Sequence, residues 1–296
     1  MLPAFCTNDP ACYAHIARRD QMKVFISADI EGVTGTTVWD EVTRNHRDYP
    51  EFQAQMTREV SAACLGAIEA GVDRILVKDA HSTARNLIAK DLPEPVELIR
   101  GWSRHPYMMM QEIDDSFDAA LFVGYHAQAS AGGNPLAHTM DSSRYSWITF
   151  NGEPVSEFLL NAYTAAMENV PVVFISGDLE ICRHASRLIP GISSVAVKQG
   201  KGGSTINIHP ETACREIKKK VKQSLLSLSG QSDSTRTDPK PVVPKLPDHF
   251  DVEVSFFHCK DAYRASFYPG AKLLSPKKIG FKARSYMEAL RLLLFI

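Results

Sequence analysis

The 296 residues predict an α/β fold: a mainly parallel central sheet flanked by helices, with a smaller C-terminal α+β subdomain. Two observations carry this. From Met22 onward, short apolar, β-prone runs alternate with longer helical patterns, as in βαβ units. A polar, proline-rich stretch from Ser229, "SGQSDSTRTDPKPVVPK", then separates this region from a short tail with its own strand and helix signals. The strand-like runs are residues 23–27, 74–78, 96–99, 119–124, 147–150, 172–176 and 194–197. The first of them, "KVFIS", has the continuous apolar character of a buried strand. Helical patterns cover 51–70, 156–168, 179–188 and 211–228. The first of these is bracketed by Pro50 and Gly71, which suit a helix start and stop. The tail contributes a strand-like run at 252–257, the stretch "PGAKLLSP" and a closing helix from Ser285. The expected organisation is therefore an extension (1–21), a core (22–228), a linker or exposed loop (229–245) and a subdomain (246–296). The extension lacks the continuous apolar stretch of a secretory signal. An alternative start at Met22 and a docking arm both fit it.

Composition excludes some classes of partner. A net charge of −1 with 44% hydrophobic residues gives no electrostatic reason to expect nucleic acid or an anionic membrane surface. No apolar stretch is long enough to span a bilayer. The six cysteines are scattered without a CxxC pair. This points to free thiols in a reducing compartment, the cytoplasm.

The chemistry starts at "VFISADIEGVTG", from Val24. Asp29 and Glu31 follow the first strand two residues apart, so on an extended chain their side chains project the same way. Two carboxylates held that close repel unless a cation lies between them. The strand ending "RILVKDAHS" leads to His81, and "ALFVGYHAQAS" leads to His126. If these strands are parallel, all four side chains sit at carboxyl ends, the edge where open α/β sheets bind ligands. Taken singly, a DxE pair reads as a solvated loop or helix cap, and a histidine after a strand as a hydrogen-bonded loop residue. Recurrence at one edge favours a transition metal, with imidazole and carboxylate together suiting zinc, manganese, iron or cobalt better than calcium or magnesium. A tightly packed acid such as Asp29 further suggests two ions rather than one.

These residues resemble the zinc-dependent D-aminopeptidase family. Its SxDxEG fingerprint appears as "SADIEG" from Ser27. It is followed in order by "DAHS" at Asp79, "GYHA" at Gly124, "HTM" at His138, "NGEPVSEFLLNAY" at Asn151, "VPVVFISGD" at Val170 and "AVKQ" at Ala196. The resemblance implies two zinc ions per subunit held by Asp29, Glu31, His81, His126 and Glu157, with His138 as the catalytic histidine. It implies hydrolysis of short peptides with D-amino-acid N-termini by a water shared between the metals, and a homodecamer enclosing a chamber. From pattern alone Glu157 reads only as a helix-dipole residue. Two stretches depart from the family pattern, "QASAGGNPLA" before His138 and "GKGGST" after the last motif. The first is expected to reshape the His138 loop and the second the substrate pocket.

Asp79 is expected to orient His81 by a hydrogen bond. Lys198 reads equally as a partner for a substrate carboxylate or oxyanion and as a solvated lysine. Met108–Met110 read as core or interface packing. Two other functions remain open. One is a different amidohydrolase or a phosphoesterase on the same metals, though Lys78, Arg85 and Lys198 form no evident basic cluster in the sequence. The other is a non-enzymatic assembly in which metal holds the fold. A nucleotide-binding fold is disfavoured, because no GxGxxG follows a strand and "GKGGST" lacks P-loop spacing.

Overall fold

The computed structural model describes residues 21–230 and 243–296. The expected extension, apart from Gln21, and most of the expected linker lie outside the described residues, as do Cys6 and Cys12. In chain order the first elements are β1 (Lys23–Ala28), α1 (Trp39–Val42), α2 (Tyr49–Glu69), β2 (Arg74–Asp79), β3 (Val96–Ile99) and β4 (Ala119–Tyr125). Next come β5 (Tyr145–Phe150), β6 (Glu153–Pro154), α3 (Glu157–Met167), β7 (Val172–Asp178), α4 (Leu179–Leu188), β8 (Ser193–Lys201) and β9 (Ser204–Asn207). The chain closes with α5 (Pro210–Leu228), β10 (Phe250–Phe256), α6 (Cys259–Ala265), β11 (Lys272–Ser275), β12 (Lys278–Ala283) and α7 (Tyr286–Phe295).

The main sheet has the order β3-β2-β1-β4-β7-β8-β9 and is parallel except for the β8–β9 hairpin. Both faces are covered, which is why its strands read as unbroken apolar runs. Successive β1 residues divide between the two sides. Val24 and Ile26 pack with Val60 and Ala63 of α2 and Ile217 and Val221 of α5. Phe25 packs with Phe158 of α3 and Ile181 of α4. β4 does the same, with Leu121 and Val123 on one side and Ala120 and Phe122 on the other.

The second sheet, β11-β12-β10-β5-β6, is antiparallel. Here the structure departs from the sequence expectation. The run at 147–150 is not one of the parallel strands: as β5 it pairs with β10, Ile148 opposite Val254 and Phe150 opposite Val252. The smaller sheet is thus built from the tail and from residues that precede α3. Two signals pointed this way. Asn151-Gly152 has positive φ at both residues, the primed hairpin turn that returns β5 into β6. β10 alternates strictly, with Phe250, Val252, Val254 and Phe256 buried, the pattern of a sheet wet on one face. Its inner face packs against α7 through Leu290 and Leu293.

Candidate metal centre

The centre forms where the loops after β1, β2 and β4 meet the first turn of α3. Close backbone approach brings the first and third together. Asp29 N donates to Val123 O at 2.9 Å, and Gly32 N donates to Gly124 O at 2.8 Å. A Cβ on Gly32 would lie 1.8 Å from Tyr125 O, and one on Gly124, where φ is +74°, would lie 2.2 Å from Asp29 O. Only glycine lets the "DIEG" loop lie across the end of β4, and this places Asp29 beside His126.

All six expected side chains come together, and all are buried. Asp29, Glu31 and His81 form one potential ligand group; His126, His138 and Glu157 form another. Asp29 spans the two. Its Oδ1 is 3.4 Å from His81 Nδ1 and its Oδ2 is 3.6 Å from His126 Nε2. Glu31 Oε1 lies 2.9 Å from His81 Nδ1, and Glu157 Oε2 lies 3.5 Å from His126 Nε2. His138 Nε2 is 3.7 Å from Glu157 Oε1. These separations are those of donor atoms sharing a cation about 2 Å from each.

Three further observations fit a metal. Each histidine donates its outer N–H to a backbone carbonyl: His81 Nε2 to Val42 at 2.8 Å, His126 Nδ1 to Ala127 at 2.9 Å and His138 Nδ1 to Leu136 at 2.9 Å. The nitrogen left bare faces the cluster in every case, the arrangement usual for ligating imidazoles. Glu31 Oε2 and His126 Nε2 are buried without a hydrogen-bond partner among the described residues, as expected of atoms that await a cation. The carboxylates favour positive charge at His81 and His126. Burial alone lowers the pKa of His81 and His126, yet Glu31 and Asp29 raise His81 well above its ordinary value, and Glu157 lifts His126 to about 10. Burial and then Glu31 push Asp29 well up. Burial works the same way on Glu31, but His81 outweighs it and holds that carboxyl well below the ordinary range.

Glu157 is the first residue of α3, where Ser156 Oγ caps the helix by accepting from Leu159 N at 3.0 Å. Its Oε1 also accepts from Met140 N at 2.7 Å, which ties the His138 loop to the helix. His138 stacks on His126 at 4.3 Å and 8°, and meets Trp39 edge-on at 5.3 Å. Burial first, and His126 second, hold its pKa below the ordinary histidine value.

Several expectations need correction. Asp79 does not orient His81. Its Oδ1 accepts from Asn86 Nδ2 at 2.8 Å and its Oδ2 from Leu87 N at 2.7 Å, and the ring of His81 is held by Val42 instead. Lys198 is neither solvated nor free for substrate. It is buried, and its Nζ donates to Glu31 O at 2.5 Å, Thr36 O at 2.5 Å and Thr36 Oγ1 at 2.6 Å, so all three protons brace the loop carrying Glu31. "GKGGST" forms the β8–β9 hairpin and lies outside the cavity lining. The "QASAGGNPLA" loop is pinned by Gly200 N to Gly133 O at 2.8 Å and by Asn134 Nδ2 to Glu31 O at 3.0 Å. Of the methionines, Met110 is core, whereas Met108 and Met109 line the cavity.

The centre opens into a cavity of about 900 Å³. Sequence reasoning missed most of its wall: Trp39, Trp102, Asn161, Arg44, Arg104 and Arg144. No motif spacing marks them, because they come from separate loops. With Arg85, three of them supply four arginines, a basic cluster that was not visible in the linear order.

A buried carboxylate–imidazole donor set, closed behind and open to a cavity in front, defines a metal-dependent enzyme rather than a closed structural metal site. Residues 22–295 match the M55 peptidase family, described as D-aminopeptidase. The chain belongs to that family and is a metal-dependent aminopeptidase, a hydrolase. It is 32% identical over 276 residues to the D-aminopeptidase of Bacillus subtilis (strain 168), covering 92% of this chain and 96% of the relative. Among solved structures it is similar to the "Zn-dependent D-aminopeptidase DppA from Bacillus subtilis, a self-compartmentalizing protease". That match has a TM-score of 0.83 at 29% identity and covers 92% of this chain and 96% of the other.

Proposed function

We propose that the chain is a binuclear zinc aminopeptidase that removes D-amino-acid residues from the N-termini of short peptides. The observation that carries the binuclear reading is Asp29, whose two oxygens face two different donor groups. Asp29, Glu31 and His81 would hold one zinc; Asp29, His126 and Glu157 would hold the other. When bound, zinc supplies a Lewis acid for the scissile carbonyl and lowers the pKa of water.

The chain's own groups do the rest. His138 takes or returns a proton at Nε2, the nitrogen its Leu136 bond leaves bare. Its lowered pKa keeps that lone pair available at neutral pH. Stacking on His126 and the edge contact with Trp39 fix the ring plane. The D-preference rests on the family description and on the relatives' names. Manganese or cobalt would suit the same donors.

Assembly into a homo-oligomer is supported by the description of the similar structure as self-compartmentalizing. The exposed apolar side chains Tyr263, Phe267, Leu273 and Leu274 on and beside α6 and β11 offer a surface for it. A decamer rests on the resemblance alone. The cytoplasm is the proposed location, consistent with free Cys64, Cys182, Cys214 and Cys259.

The test is elemental analysis of protein purified without chelator or histidine tag, beside Asp29→Ala, followed by assays on paired D- and L-aminoacyl peptides. About two zinc per chain, falling sharply in the variant, with faster turnover of the D-peptide, is the expected result. A folded protein that refuses added metal would sink the proposal.

A further inference from the structure

The cavity in front of the metal centre has an unbalanced charge. Apart from Asp29, Glu31 and Glu157, its one acidic lining residue is Asp141, against Arg44, Arg85, Arg104 and Arg144. Several arginines outside the cavity find carboxylates. Arg58 pairs with Glu211 at 3.1 Å, Arg74 with Glu97 at 2.6 Å and Arg284 with Glu288 at 3.0 Å. None of the four cavity arginines makes an ion pair among the described residues. Cations left unpaired around one pocket imply that the occupant brings an anion.

Arg144 differs from the other three. Arg44, Arg85 and Arg104 are exposed, whereas Arg144 is half-buried. Its Nη2 is shut off from solvent and has no acceptor among the described residues, a costly state for a guanidinium N–H. Its backbone is held rigidly. Asp141 Oδ1 accepts from Ser143 N at 2.9 Å and Ser143 Oγ at 2.6 Å, and Arg144 N donates to Asp141 O at 3.1 Å. Arg144 O in turn accepts from Phe257 N, beyond the end of β10, at 3.0 Å. The guanidinium carbon lies 5.1 Å from the centre of the Tyr145 ring, close enough for a cation–π contact. The same loop carries His138 and Met140, and Met140 is bonded to Glu157. Arg144 therefore stands at a fixed offset from the reacting end of the site.

We propose that Arg144 is a specificity-determining residue that receives the C-terminal carboxylate of a short peptide. The three exposed arginines draw the anion into the cavity. Arg144 lines the cavity, and its planar fork matches a carboxylate in two parallel hydrogen bonds. A peptide whose N-terminal residue lies at the candidate ligands and whose C-terminus reaches Arg144 must carry a free α-carboxylate. This rests on the peptidase reading above and deepens it by naming the group that the far end of the substrate must carry.

The test compares D-alanyl-D-alanine with its C-terminal carboxamide on zinc-loaded enzyme. The wild type is expected to show kcat/KM about 10- to 100-fold higher for the free acid, most of it in KM, the range for a hydrogen bond to a charged group. Arg144→Gln brings the two peptides together by lowering the free-acid value, and Arg144→Lys, a point charge without the fork, recovers part of the preference. Equal cleavage of both peptides by the wild type would overturn the assignment while leaving the peptidase reading intact. So would an Arg144→Gln enzyme that keeps the preference. Cleavage of neither peptide, with p-nitrophenyl phosphate hydrolysed instead, would strike the peptidase reading and the assignment with it.

Discussion

Replacing Lys198 by methionine separates a structural lysine from a substrate-binding one. Its ammonium gives all three protons to the loop between Glu31 and Thr36. Methionine matches the stem's volume but removes every donor. Glu31 O would keep the Asn134 amide at 3.0 Å, and Thr36 Oγ1 would still donate to Val33 O at 2.8 Å. Thr36 O would be left buried without its partner, costing about 1–3 kcal/mol. The other two charge-assisted bonds are worth roughly 1.5–3 kcal/mol each. Against this, burial pushes the Lys198 pKa down to about 8, and deleting the charge returns about 3 kcal/mol of that desolvation cost. The net expectation is a destabilisation of about 1–6 kcal/mol, read as a lower urea midpoint at unchanged slope. Because the loop carries Glu31, zinc affinity should fall in parallel, while the KM of fully loaded enzyme changes little. Unchanged stability and zinc affinity with a raised KM would refute the bracing role and return Lys198 to the substrate.

His138→Ala should fold, retain its zinc and lose about 10²- to 10⁴-fold in kcat. Near-normal turnover would remove His138 from the mechanism, and loss of one zinc per chain would recast it as a ligand. Gly32→Ala should be among the most damaging single-methyl changes. Its Cβ would sit 1.8 Å from a backbone oxygen, so the Asp29–Glu31 loop must lift off β4. Roughly 3 kcal/mol or more of stability should go, together with metal content. A variant with wild-type melting temperature and zinc load would show that the close approach is not needed.

The parallel sheet and the candidate metal ligands were legible in the linear order for one physical reason. A strand buried on both faces must be a continuous apolar run, and ligands at its carboxyl end must follow within a few residues. Thus "VFISADIEG" announced both β1 and the Asp29–Glu31 pair. Glu157 was different, since a glutamate in the first turn of a helix has an electrostatic reason to be there without any metal, and only the motif singled it out. The membership of β5 was partly legible, through the Asn151-Gly152 turn, but its partner was not. Pairing with β10 joins residues about a hundred positions apart, and local pattern carries no information about that register.

By itself, the sequence determined the alternation of strands and helices, the set of candidate ligands and the family. Tertiary structure decided everything that depends on which loops meet. Only in three dimensions does Asp29 present one oxygen to each donor group, because Gly32 and Gly124 let two backbones touch. There too, Asp79 and Lys198 turn from apparent site residues into braces, since burial forces their polar atoms onto the nearest backbone groups. Four arginines scattered between positions 44 and 144 become one cationic wall for the same reason. Side-chain chemistry is written locally, but the electric field that a substrate meets is a sum over space.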